Sequence, residues 1–234
     1  MTFVLGVILA RQGSKGIKDK NVRPLGGIPL IGHVGRAVTE SKRVNHTIIS
    51  TDSDSYGKVA QDYGIDYLFK RPPELSTDTA SSRDCLIHAV KQYEVIKKTK
   101  VDVIVELMCT NPFKTGALID EVVSEIVDRN HCSAITVTRV EEHHPCRLKT
   151  IDDDGFLQDV WTEKLESRRQ DLVPFIYIRN GNIYAMSREF LVDENYRYLP
   201  GRSKAVIQIG DSVNLDTMAE WQLAENIFAG NMTR

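Results

Sequence analysis

From Phe3 to Val140, short apolar runs alternate with stretches of helical spacing, and this alternation narrows the possible folds more than any other feature. Phe3–Leu9 is a continuous apolar run ended by a glycine-bearing turn, the pattern of a strand buried on both faces. Pro29–Glu40 carries apolar residues at 30, 31, 34, 37 and 38, one stripe of a helix. Further strands are expected at Asn45–Ser50, Ile65–Phe69, Val101–Met108 and Ser133–Val140. Helices are expected at Asp54–Tyr63, Thr79–Lys98 and Thr115–Asn130, with Gly64 as the C′ residue of the first of these. Such a rhythm means βαβ units, hence an α/β fold with a mixed, mostly parallel sheet flanked by helices. With 41% hydrophobic residues over 234 positions, the chain can bury such a sheet as a single domain, residues 1–234.

The rhythm breaks over residues 141–201, where "DDDG" (152–155) and "RRQD" (168–171) interrupt any apolar pattern. This part reads as a loop-rich insertion, a lid or dimerisation subdomain. Ala205–Ile209 then returns as a strand, and Thr217–Ala229 closes the chain as a helix.

Thirty basic residues nearly cancel 32 acidic ones, leaving a net charge of −2. Neither nucleic acid nor a membrane is therefore expected as a partner, and any anion must be held by a local cluster. No apolar run approaches the roughly 18 residues of a membrane span, and the first residues carry no signal pattern. Cys85, Cys109, Cys132 and Cys146 form no CxxC pair and read as ordinary thiols of a cytoplasmic protein.

The local cluster follows the first strand. "ARQGSKG" (10–16) and "KN" (20–21) bring Arg11, Lys15, Lys18 and Lys20 onto a glycine-bearing turn. Ligands of parallel sheets bind outside the carboxyl ends of the strands. Glycines allow close backbone approach, successive N–H groups make an anion nest, and Arg11, Lys15 and Lys20 supply charge suited to a triphosphate. The spacing is neither that of a Walker loop nor GxGxxG. "STDSD" (50–54) follows another strand, where Asp52 or Asp54 is either a metal ligand or a helix cap. In "RPPELSTDTASS" (71–82), Ser81 has capping-box spacing with Asp84 just beyond, but the other four hydroxyls and Arg71 exceed what a cap needs. His143 and His144 are adjacent and so ill-placed to share a metal. "RRQD" and Arg179 offer guanidinium groups to a carboxylate or simply form a charged loop. In "DSVNLD" (211–216), Asp216 is either a magnesium ligand or the start of a helix whose capping box is Thr217 and Glu220.

Taken in order, ARQGSKG…KN, STDSD, RPPELSTDTASS, NPFKTG, EHHP, RRQ, NGNIY and DSVNLD resemble the bacterial CMP-N-acetylneuraminate synthetases, the acylneuraminate cytidylyltransferases, from Val4 to Asn226. The resemblance implies a Rossmann-like nucleotide-diphospho-sugar transferase fold, a homodimer in which one lid reaches the partner's site, and a requirement for Mg2+. It implies transfer of CMP from CTP to the anomeric hydroxyl of a nine-carbon 2-keto sugar acid of sialic, legionaminic or pseudaminic type. Arg11, Lys15, Lys20 and Asn21 then resemble the triphosphate loop, and Arg71, Ser81 and Ser82 part of the cytidine pocket. Met108, Arg147, Arg169, Arg179, Asn180, Gly181 and Tyr184 fall at sugar-side positions. Asp216, with Asn214 and Asp211, falls at the metal, and Asp211 or Asp216 is placed to take the hydroxyl proton.

Three departures stand out. The family's Q-P-T-S-P is here Met108-Cys109-Thr110-Asn111-Pro112, so a thioether replaces a hydrogen-bonding amide. The family's D-x-D is Asn214-x-Asp216, with one charge fewer. Arg179 matches the second lid arginine only with a shift. The alternatives are a synthetase for the eight-carbon acid KDO, a nucleotide-binding homologue weakened at Asn214, or a non-catalytic scaffold.

Overall fold

In the computed structural model, residues 2–13, 16–140, 142–161, 168, 171–193 and 203–230 are described. Lys15 and Arg169 lie outside the described residues. Strands β1 (Val4–Leu9), β4 (His46–Ser50), β5 (Val103–Leu107), β6 (Ser133–Val140), β9 (Ile176–Ser187) and β10 (Lys204–Ile207) form one six-stranded sheet, in the order β10-β6-β9-β5-β1-β4. All run parallel except β9, which is antiparallel to both β5 and β6. Two small hairpins complete the strands, β2 (Pro24–Leu25) with β3 (Ile28–Pro29) and β7 (Lys149–Ile151) with β8 (Leu157–Asp159).

Helices α1 (Leu30–Glu40), α2 (Asp54–Gln61), α3 (Ser82–Lys97), α4 (Gly116–Val127) and α5 (Met218–Phe228) cover the sheet. Period-two alternation divides its side chains between two cores. Val4, Ile8, Val105 and Leu107 pack with Leu30, Ile31, Ile119, Val122 and Trp221 of α1, α4 and α5. Leu5, Val7 and Ile104 pack with Leu86, Ala89 and Val90 of α3. Both faces are covered by helices, which is why β1 reads as a continuous apolar run and β5 as one broken only by Glu106.

Two expectations need correction. Ile65–Phe69 is not a strand; only the isolated parallel bridges Ile48↔Asp66 and Thr51↔Lys70 form there. The reading of 141–201 as an insertion misses β9, twelve residues in the middle of the sheet. Its first half, Tyr177 to Arg179, is exposed, and its centre carries Asn180, Gly181 and Asn182, so no apolar alternation marks it. The register against β6 shifts between Ile135 and Val137, opposite this bulge. Smaller differences fall at helix ends: α2 stops at Gln61 with Asp62 as cap, and Gly64 makes the following turn at φ +75°.

Candidate active site

The carboxyl ends of β1, β4, β5, β6 and β10 lie along one edge of the sheet, and antiparallel β9 brings residues 180–183 to the same edge. The basic loop after β1 is fastened there on three sides. Gln12 donates its backbone N–H to Asp52 Oδ1 at 2.9 Å, and Tyr56 gives its hydroxyl to Asp19 Oδ1 at 3.0 Å. Arg11 Nη2 lies 2.5 Å from Asp78 Oδ1, bridging to the segment before α3. Asn21, buried, donates Nδ2 to Arg11 O at 3.4 Å.

Lys20 is 8% exposed and makes the central contact. Its Nζ donates to Leu215 O at 2.5 Å and to Asp216 Oδ1 at 2.8 Å. Asn214 donates Nδ2 to the other carboxylate oxygen at 2.7 Å. Behind them, Thr217 and Glu220 close the expected capping box, and Glu220 Oε2 also accepts the Asp216 N–H at 2.8 Å. The loop passes so near that a Cβ at Gly16 would collide with Asp216 O, so only glycine fits. Gly181, at φ +61°, makes a looser but still tight approach on the β9 side, where a Cβ would stand 3.1 Å from Asn214 Oδ1. Lys20, Asn214, Asp216 and Gly181, spread over almost 200 positions, thus meet at one point.

Beside the loop, Arg71 is 4% exposed and walls a hollow of about 570 Å³ with Asp52, Lys70, Pro72, Pro73 and Ser76. Its backbone N–H bonds to Thr51 O at 2.8 Å, and its Nε to Ser76 Oγ at 3.3 Å. Ser81 and Ser82 begin α3, both exposed; Ser81 sits at the N-cap but makes no capping bond, so the expected capping box with Asp84 is not formed. Asp54 is held in a surface cluster by Lys70 and Tyr67, both at 2.7 Å, which keeps its carboxyl below the usual range.

On the other flank, Tyr184 is buried on β9 beside Glu106 of β5, and burial first, then the Glu106 charge, pushes its hydroxyl up. The exposed Arg179 partly opposes this. Met108 continues from β5, giving its N–H to Asn182 O at 3.1 Å. Arg147 ends the short turn Pro145–Arg147. His144 caps that turn, bonds to Pro174 O at 3.1 Å and stacks on Trp161, a structural role. Asn180 is buried, its amide engaged by Thr136, Thr138 and Gln208. Asp211 lines a second hollow with Phe113, Lys114, Gln208 and Phe228, a set that contains neither Asn214 nor Asp216.

Among the described residues, no three His, Cys, Asp or Glu side chains gather around one point. The donor set that does fit a hard cation is the Asp216 carboxylate, 59% exposed, with the Asn214 amide beside it. Magnesium is bound in just that way, by one or two carboxylates and by substrate phosphates.

Asp78, Glu106 and Gln208 are absent from the sequence-derived set. Glu106 had a signal, a lone acid inside Val-Ile-Val-Glu-Leu; Asp78 lies within the polar stretch 71–82 but nothing there sets it apart, and Gln208 had no signal.

Residues 5–207 match the family described as Cytidylyltransferase. N-acylneuraminate cytidylyltransferase A of Danio rerio is 33% identical over 230 residues, 95% of this chain and 50% of that protein. The CMP-N,N'-diacetyllegionaminic acid synthase of Legionella pneumophila is 30% identical, covering 97% of each chain. The chain thus spans about half the length of several curated relatives and nearly all of another. A CMP-2-keto-3-deoxy-manno-octonic acid synthetase solved with CTP superposes with a TM-score of 0.69 at 18% identity, over 99% of this chain and 100% of that one. The solved structure shares the fold, and with residues 5–207 matching the family model, the chain belongs to the cytidylyltransferase family.

Proposed function

We propose that the protein transfers CMP from CTP to the anomeric hydroxyl of a nine-carbon 2-keto sugar acid of sialic, legionaminic or pseudaminic type, releasing pyrophosphate. The observation that carries this reading is the junction of Lys20 with Asp216 at 2.8 Å, at the carboxyl edge of a parallel sheet, with Arg11 on the same loop. The relatives named for sialic and legionaminic acids support the substrate class.

In this reading Arg71 and the start of α3 receive the cytidine, and Arg11, Lys15, Lys20 and Asn21 receive the triphosphate. The sugar hydroxyl attacks the α-phosphorus in line, losing its proton to Asp211 or Asp216, as the bond to pyrophosphate breaks and the pyrophosphate leaves. Charge shifts onto phosphate oxygens, and fixed Lys and Arg groups stabilise it without reorganising. Asp216, with Asn214 beside it and Asp211 nearby in sequence, would hold Mg2+. The ion, when bound, draws charge from the phosphates and aligns them. Met108, Arg147, Arg169, Arg179, Asn180, Gly181 and Tyr184 make the sugar side, with Asn180 acting from beneath through its buried amide. No covalent nucleophile is needed.

The reading includes a cytoplasmic homodimer. Ile151, Phe156, Leu157, Phe175 and Ile178, on the β7–β8 hairpin and around the start of β9, are all more than half exposed, an apolar surface suited to a second copy. CTP is a cytoplasmic substrate.

The test is pyrophosphate release from CTP with Mg2+ across N-acetylneuraminate, legionaminate, pseudaminate and KDO. Release with a nine-carbon acid is expected. Release with KDO alone would reassign the substrate, and CTP binding without release from any acid would overturn the transferase.

A further inference from the structure

We propose that Gln208 is a positioning residue that sets the metal-side segment 211–216 against the sugar-side strand β9. The inference rests on the cytidylyltransferase reading of the site. Gln208 follows β10 and is 6% exposed. Its side chain uses its whole hydrogen-bonding capacity. Oε1 accepts from Asn180 Nδ2 at 2.7 Å and from Asn182 Nδ2 at 2.8 Å. Nε2 donates to Phe113 O and to Asp211 O, both at 2.7 Å.

One amide therefore joins three segments that are distant in sequence. Phe113 belongs to the loop after β5, and Asp211 opens the segment that ends in Asn214 and Asp216. Asn180 and Asn182 flank Gly181, the residue whose backbone lies against Asn214. Asn111 adds a second tie between the same parts, donating Nδ2 to Asn180 O at 3.0 Å and to Ser212 Oγ at 2.9 Å. Buried amides thus tie the 211–216 segment to the Asn180–Asn182 part of β9. Such outer partners govern how well a ligand residue is aimed.

Gln208→Glu is the informative variant, because it keeps the shape and the acceptors. It removes both donors and sets a carboxylate against two carbonyl oxygens. In Mn2+ titrations of the CTP-loaded protein, followed by electron paramagnetic resonance, affinity for Mn2+ should fall about tenfold. Turnover should fall by about 10–100-fold while the KM for CTP, governed by the Arg71 side, stays within about threefold. Gln208→Met, which keeps the length of the side chain but can neither donate nor accept these bonds, should show the same losses of Mn2+ affinity and turnover.

A folded Gln208→Glu with unchanged Mn2+ affinity and kcat overturns the proposal. So does a rise in CTP KM that follows lost thermal stability, or unfolding of both variants, since either makes Gln208 an ordinary core residue. Wild-type protein that binds Mn2+ with CTP but releases no pyrophosphate sinks the transferase reading alone, and the Mn2+ titration still decides Gln208. Wild-type protein that binds no Mn2+ with CTP overturns both.

Discussion

Arg11 already has a partner within the chain, Asp78 at 2.5 Å, with both side chains partly exposed. If Arg11 receives the triphosphate as proposed, an incoming phosphate must compete with that carboxylate for the guanidinium. Exposed pairs of this kind contribute up to about 1 kcal/mol, so Asp78→Asn should tighten CTP binding by about two- to fivefold, measured by calorimetry. Equal or weaker binding would mean that Asp78 aims Arg11 instead of restraining it. Lys114 shows a different residue-level effect. Its Nζ is buried against Met108 O at 2.9 Å and Asn111 O, and burial pushes its ammonium down to about 8 from an ordinary 10.5. Between these values the unfolded chain holds a proton that the folded chain has released. More protons bound in the unfolded state mean stability that rises with pH. The penalty is therefore complete below about pH 8 and is relieved toward pH 10.5. Denaturant unfolding of wild type and Lys114→Met at pH 7.5 and 10 should show the difference between them moving in favour of wild type; a constant difference would refute this. Arg11 and Lys20 could be picked out from sequence because charge directly after a buried strand is unusual. Asp78 and Gln208 could not, because an ordinary polar residue gains its role only from what folds against it.

Strand β9 illustrates the same limit at the level of an element. A strand is recognised by alternation, and here the bulge at Gly181 and two buried asparagines destroy it. Asn180 is bonded there by Thr136, Thr138 and Gln208, and Asn182 gives its Nδ2 hydrogens to Phe113 O and Gln208 Oε1 while its Oδ1 has no partner among the described residues. Gly181 tests the bulge directly. Alanine there must adopt φ +61° and place its methyl 3.1 Å from Asn214 Oδ1, whereas Gly64, at φ +75°, has nothing within 4 Å. Gly64→Ala should cost about 1 kcal/mol, the backbone strain alone. Gly181→Ala should cost more and lower Tm by several degrees beyond it, read by calorimetry. Equal losses would show that the approach to Asn214 is not tight. The helices were readable because each carries a continuous apolar stripe or a local cap; the box of Thr217 and Glu220 spans only four residues and forms as expected.

For the whole molecule, the thiols and the open apolar surface give two expectations. Burial pushes the Cys109 thiol up to about 12, while Cys132 is exposed. A thiol reagent should therefore modify Cys132 in the native protein and reach Cys109 only on unfolding. Early labelling of Cys109 would mean that the floor beneath Met108 opens in solution. Sedimentation should show a dimer, and Ile151→Glu with Phe156→Glu should shift it to monomer, because charges on a buried apolar contact are left unpaired. A wild-type monomer would remove the reason for so many exposed apolar residues at β7–β8. Periodicity, turn chemistry and the charge of one loop determined, from sequence alone, a parallel α/β sheet and the end of it where an anion would bind, since these signals act between residues a few positions apart. The antiparallel strand in mid-sheet, the meeting of Lys20 with Asp216, the pairing of Arg11 with Asp78 and the buried amides around Gln208 were decided only by the tertiary structure. Each of these joins groups that are remote in sequence, and a polar group can be buried there only when the folded chain supplies its partner.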